Sequence, residues 1–158
     1  KGKTLKCKVI VTKKQAAKKN AKTAGKKNTT SDISLQKKVI SIVNKNRKKK
    51  GLEALTMDEK LMKAAQDRAK ELTKSFSHTR PNGTSCFTIF EKYKITPTAS
   101  GENIAAGQRS AAAVMDSWMN SPGHKENIMN NRFKKIGVGL VIVPNDMYSY
   151  YWVQMFTE

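Results

Sequence analysis

The chain has little of several things that would settle its chemistry at once. There are two cysteines in 158 residues, Cys7 and Cys86, and they form neither a Cys-x-x-Cys pair nor a metal-ligand spacing. A dithiol redox motif is therefore excluded, and no disulfide is expected between such separate regions. No apolar run approaches the length of a membrane span. His-Glu-x-x-His, the nucleophile-elbow pattern and a Cys-His signature are all missing, which removes the hydrolases that announce themselves by sequence. The chain starts at Lys1 and shows no basic start, apolar run and small-residue cleavage site. We therefore expect a mature fragment of a longer protein.

Acidic residues are scarce, and their distribution matters more than their number. Lys and Arg total 31 against 12 Asp and Glu, a net charge of +19. Residues 1–31 hold eleven lysines and no acid, so this arm supplies over half of the excess. A lysine-rich arm without aromatics binds polyanions with no sequence preference. An anionic cell-wall polymer fits that chemistry. Nucleic acid is not expected, because no reading motif accompanies the charge. The alternative is a solvated spacer.

Three regions follow. In residues 1–12, Leu5, Cys7 and Val9 alternate with polar neighbours, a period of two that suggests a strand. The stretch resembles the last strand of a bacterial Ig-like repeat, so we expect it to end a truncated upstream domain. Residues 13–31 have linker composition, and residues 32–158 form the globular part. Asp32 can cap a first helix, in which Leu35, Val39, Ile42 and Val43 recur at helical spacing and Gly51 marks the stop. Thr56 and Glu59 make a capping-box pattern ahead of Leu61, Ala64, Ala65, Ala69 and Leu72. Thr84 to Tyr93 suggests a short helix, Gly101 to Gly107 a loop with a brief apolar centre, and Ser110 the start of a helix carrying Val114, Met115 and Trp118. Ile136, Val138, Leu140 and Ile142 then alternate as on a strand with one buried face. Tyr148 to Phe156 supplies the second arm of an antiparallel hairpin. The order implies an α+β fold, with helices covering an antiparallel sheet.

One of the two histidines lies in Trp118 to Ile128. Ser121 is placed to cap a helix and Pro122 takes its first position. His124 then falls in the first turn, where the positive helix end favours a neutral ring able to bind a metal or accept a proton.

Taken with His-x-Arg-Pro-Asn-Gly from His78, Gly-Glu-Asn-Ile-Ala from Gly101 and the closing hairpin, the Trp-x-x-Ser-x-x-His-x-x-Asn-Ile pattern from Trp118 resembles the CAP superfamily. These are the cysteine-rich secretory, antigen 5 and pathogenesis-related proteins, also called SCP domains. The motifs are similar to the bacterial branch over about residues 33–157. The resemblance implies a three-layer α-β-α sandwich, an extracellular or wall-associated location, and a cleft with two histidines and two acids. Carried over by motif, the histidines are His78 and His124 and one acid is Glu102. The wider family's second acid falls on Ser121, which brings no negative charge.

His78, His124 and Glu102 offer two nitrogens and one oxygen, a set suited to zinc or another divalent cation with an open position. Glu102 can instead orient one imidazole from behind. Arg80, Asn103 and Ser121 complete the expected cleft, although Arg80 also reads as a loop clamp and Asn103 as a backbone tie. Trp118, Tyr148, Tyr150, Tyr151 and Trp152 read as packing. Two functions remain open: a non-enzymatic module for a small or lipid-like ligand, and a hydrolase working through His78, Glu102 and His124 with activated water. A third is polyanion binding through the arm and the basic end of the first helix, Arg47, Lys48, Lys49 and Lys50.

Overall fold

The computed structural model describes the backbone of Cys7–Val11 and residues 32–158 in full. The linker expected over 13–31, and the flanks of the upstream strand at 1–6 and 12, lie outside the described residues. The elements in order are β1 (Cys7–Val11), α1 (Ile33–Lys48), β2 (Thr56–Met57), α2 (Glu59–Leu72), α3 (Ile89–Lys92), β3 (Ser100–Ala106), α4 (Ala111–Met119), α5 (Pro122–Ile128), β4 (Lys135–Ile142) and β5 (Tyr150–Thr157). A 3₁₀ turn at Cys86–Thr88 leads into α3.

One sheet runs β1-β3-β5-β4-β2. Its three central strands, β3, β5 and β4, are antiparallel, as expected. The two edges are parallel additions, β1 on β3 and β2 on β4. The strand read at residues 1–12 thus lies along β3, in the register Cys7 to Glu102 through Val11 to Ala106.

Both sheet faces are covered, which makes the expected α-β-α sandwich. On one face Val39, Ile40 and Val43 of α1 and Val114, Met115 and Trp118 of α4 pack on Ile136, Val138, Leu140, Trp152 and Phe156. On the other, Leu61, Ala64, Ala65, Ala69 and Leu72 of α2 meet Ile104, Val141, Val153 and Met155. Hence β4 is buried on both faces and not on one. Its apparent polar positions are Gly137 and Gly139, where a Cβ would overlap the Leu61 backbone and the Ala65 carbonyl respectively. Glycine is what lets α2 approach the sheet this closely.

The caps partly follow the reading. Asp32 accepts from the N–H groups of Ser34 and Leu35 at 2.9 and 3.2 Å. Ser110 accepts from Ala113 N–H at 3.1 Å. The Thr56 box is corrected: Thr56 lies in β2, and Asp58 caps α2 by accepting from Leu61 N–H at 2.9 Å. A carboxylate nearer the helix start outcompetes the hydroxyl and carries the charge the helix dipole favours. The Gly101–Gly107 loop is corrected too. Gly101 to Ala106 belong to β3 and are buried, because neighbours on both sides and both faces override weak β propensity.

Candidate functional site

The site is built around Glu102 on β3. Alternation along the strand turns Glu102 toward α2 and Asn103 toward α5, so the motif residues straddle the sheet.

On the α2 face, Glu102 is fully buried and its carboxylate is shared. Arg68 of α2, also fully buried, donates from Nε to Oε2 at 2.9 Å and from Nη2 to Oε1 at 3.3 Å. His78 Nδ1 lies 2.7 Å from the same Oε1. An ionised carboxylate can only accept, so this bond puts a proton on Nδ1. The Arg68 guanidinium also donates to Glu71 at 2.7 Å and to the Ser77 carbonyl at 2.9 Å, which fixes the segment leading to His78. Arg80 grips Glu71 from the far side, at 2.7 Å from Nη2 and 3.1 Å from Nε, and donates to Thr88 at 2.9 Å. The result is a chain of alternating charge, Arg80, Glu71, Arg68 and Glu102, that ends on the half-buried His78 ring.

The titration shifts follow from this chain. Burial alone would lower the Arg68 pKa; the hydrogen bonds and charge of Glu102, then Glu71, outweigh it and raise it. Burial would raise the Glu71 carboxyl, but the hydrogen bonds of Arg80 and Arg68 hold it below its ordinary value.

On the α5 face, His124 is fully buried and its Nδ1 lies 2.8 Å from Ser121 Oγ. Ser121 occupies the N-cap position, but its side chain makes no cap bond to the backbone. The serine that sequence reads as a cap is therefore a partner of the imidazole. The His124 carbonyl accepts from Asn103 Nδ2 at 3.1 Å. Asn103 also donates to Gln154 at 3.0 Å and accepts from Asn127 at 2.8 Å. Asn127 further donates to the Glu102 carbonyl at 3.3 Å. These buried amides hold α5 on β3 and β5. Unpaired, each would cost about 1–3 kcal/mol.

The structure therefore joins His78 directly to Glu102, and Ser121 to His124. Asn103 meets His124 only through its carbonyl, and Arg80 reaches Glu102 only through Glu71 and Arg68. The group of ligating atoms found close together among the described residues is His78, Cys86 and Glu102, all within 4.8 Å of one another. His124 is not in that group. The basic patch loses one member: Arg47 is buried and donates to the carbonyls of Glu53, Ile128 and Asn130 at 2.8, 2.8 and 2.9 Å. Lys48, Lys49 and Lys50 are exposed.

Arg68, Cys86 and Gln154 were not singled out by motif. Arg68 had a signal, since with Leu61, Ala65 and Leu72 it completes the apolar stripe of α2. A charge on such a stripe requires a buried partner.

Residues 40–156 match the model of the cysteine-rich secretory protein family, CAP. The chain belongs to this family. The Bacillus subtilis (strain 168) protein YkwD is similar to it, 39% identical over 126 residues that make up 75% of this chain and 49% of YkwD. Among solved CAP-like structures, an extracellular SCP-domain protein of Bacillus anthracis aligns with a TM-score of 0.71 at 26% identity, covering 80% of this chain and 41% of that one. An outer surface protein of Borrelia burgdorferi aligns with a TM-score of 0.76 at 27% identity, covering 84% and 98%. The chain thus spans about half of YkwD and less than half of the Bacillus anthracis protein. No described helix is long and apolar enough to cross a membrane.

Proposed function

We propose that this CAP domain is an extracellular, wall-associated binding module without catalytic turnover. Its ligand site is centred on β3, with His78–Glu102 on one face and Ser121–His124 on the other. The supporting observation is the Arg68–Glu102–His78 chain. It spends two buried charges on fixing one imidazole, whereas a scaffold alone would be served by apolar residues of the same volume. The extracellular setting is taken from the Bacillus anthracis and Borrelia relatives.

The donor chemistry suits a divalent cation at the imidazoles. Glu102 and Ser121 each hold Nδ1 of one ring at 2.7 and 2.8 Å, the arrangement that orients metal-ligating histidines from behind. Glu102 itself fits poorly as a ligand, because Arg68 already bonds both its oxygens. We therefore assign His78 and His124 to zinc or a similar ion and Glu102 to positioning. The organic ligand is a small or lipid-like molecule.

Zinc titration by calorimetry tests this in the full chain and in His78→Ala/His124→Ala. Saturable binding lost in the double variant supports the assignment, and equal weak binding in both removes it. The hydrolytic reading draws on the same Glu102–His78 pair. It requires turnover on a panel of peptides, esters and glycans, abolished by Glu102→Gln; a binding module shows none.

The lysine-rich arm is proposed to hold the domain to an anionic wall polymer, aided by Lys48, Lys49 and Lys50.

A further inference from the structure

Where β3 begins and β5 ends, the fold leaves a cavity of about 340 Å³. Its floor is Lys135 and Thr157, register partners on β4 and β5. Val153 and Met155 pack against α2, so alternation along β5 turns Thr157, and Lys135 beside it, to the same face. Asp58, Lys60 and Leu61 at the start of α2 make one wall, and residues 94–97 after α3 make the other. Three ammonium groups from three separate segments thus line one space. Lys60, Lys94 and Lys135 have no ion-pair partner among the described residues, whereas Lys70, Lys92 and Lys134 each hold a carboxylate. The two carboxylates of the lining are already engaged. Asp58 caps α2 by accepting from Leu61 N–H at 2.9 Å, and Glu158 accepts from Thr98 N–H at 2.8 Å and from the Thr98 hydroxyl. Thr157 is 3% exposed, yet its hydroxyl has no hydrogen-bond partner among the described residues. A hydroxyl so buried ordinarily has one.

We propose that this cavity binds the phosphate group of a small phosphate ester. Three ammonium groups against two engaged carboxylates leave the lining positive. No arginine lines it among the described residues, so the planar fork that grips a carboxylate is missing. Lysines act as point charges, and three of them from different sides, with a hydroxyl donor below, suit a tetrahedral oxyanion that accepts in every direction. The 14-residue helix α2 adds its positive end to the same wall. The cavity falls in the range of small-molecule sites, so a phosphate occupies part of it and a polyol-sized ester group the rest. None of His78, Glu102, Ser121 and His124 lines this cavity, and the inference does not rest on the zinc or organic-ligand reading.

The probes are glycerol 1-phosphate, inorganic phosphate and acetate, each titrated into the ¹⁵N-labelled full chain at constant ionic strength and followed by amide shifts. The expected result is saturable shifts at Lys60, Ile95, Lys135 and Thr157, with glycerol 1-phosphate binding most tightly and acetate least. Lys60→Gln/Lys94→Gln/Lys135→Gln should weaken glycerol 1-phosphate about tenfold or more. Thr157→Val should weaken it too, and replacing Lys13, Lys14, Lys18 and Lys19 by Gln should leave it unchanged. Shifts that do not saturate, or that spread over Lys37, Lys48 and the other surface lysines, would overturn the site. So would unchanged affinity in the triple variant. Acetate binding as tightly as phosphate would overturn the ligand class, and equal affinity for the two phosphates would overturn the ester. The wild-type shift map decides the location even where a variant fails to fold. The residues and probes differ from those of the zinc titration, so failure of one leaves the other standing.

Discussion

Glu102 is a buried carboxylate whose charge is balanced almost entirely by one side chain, Arg68. Removing only the cation should therefore cost far more than removing the pair. Arg68→Met is expected to lose about 3–5 kcal/mol in urea unfolding, and Arg68→Met/Glu102→Leu to recover much of it. The two unfolding curves distinguish these outcomes directly. Glu71 sets a pH dependence at the same scale. Its carboxyl lies below the ordinary 4.5 in the folded chain because guanidinium bonds outweigh burial. Its stabilisation is complete above about pH 4.5 and is lost as the pH falls through the lower folded value. Glu71→Gln should flatten the loss of stability below about pH 4.5, measured as urea midpoints against pH. Of these residues, His78, Glu102 and His124 were legible because their motifs identify the family. Arg68 was not, since Gln66-Asp67-Arg68-Ala69-Lys70 reads as a solvated surface unless its place on the α2 stripe is weighed. Ser121 reads as a cap because its position is that of a cap, but its hydroxyl turns to His124.

At the scale of elements, long helices with clear periodicity were the legible part. The α1 and α4 stripes and the closing hairpin appear where the pattern places them. The misreadings of β3 and β4 share one cause, burial that a single sequence does not display. The β3 strand reads as a loop because Gly101, Glu102 and Asn103 disfavour strands, but partners on both edges force the extended form. The glycines of β4 read as an open face and instead admit α2. Gly139→Ala would push a methyl group against the Ala65 carbonyl, where only backbone can move. We expect a loss of about 3 kcal/mol or more, read as a lowered thermal midpoint. The cap reassignment gives a smaller contrast. Asp58→Ala should destabilise by about 1 kcal/mol and Thr56→Ala by much less; equal effects would restore the Thr56 box.

For the whole molecule, charge is divided between arm and domain. Residues 1–31 carry eleven lysines, while the domain balances most of its basic residues with acids and buries Arg47 and Arg68 among them. Binding to an anionic wall polymer should therefore weaken steeply with salt. Replacing Lys13, Lys14, Lys18 and Lys19 by Gln should reduce the slope of log K against log salt by about 3–4 if all four meet phosphates. An unchanged slope would reduce the arm to a spacer. The arm's charge was legible from composition alone. The seating of β1 on the domain sheet was not, because a short strand pattern carries no information about which edge it joins.

At the centre of the site an imidazole is positioned by a carboxylate that an arginine holds in place. Long-range ¹H–¹⁵N correlation spectra of the histidine rings in the full chain at neutral pH test this most directly. A His78 ring protonated at Nδ1, with that pattern disturbed in Arg68→Met, is the result the account predicts. A His78 ring bearing its proton only on Nε2 would contradict it.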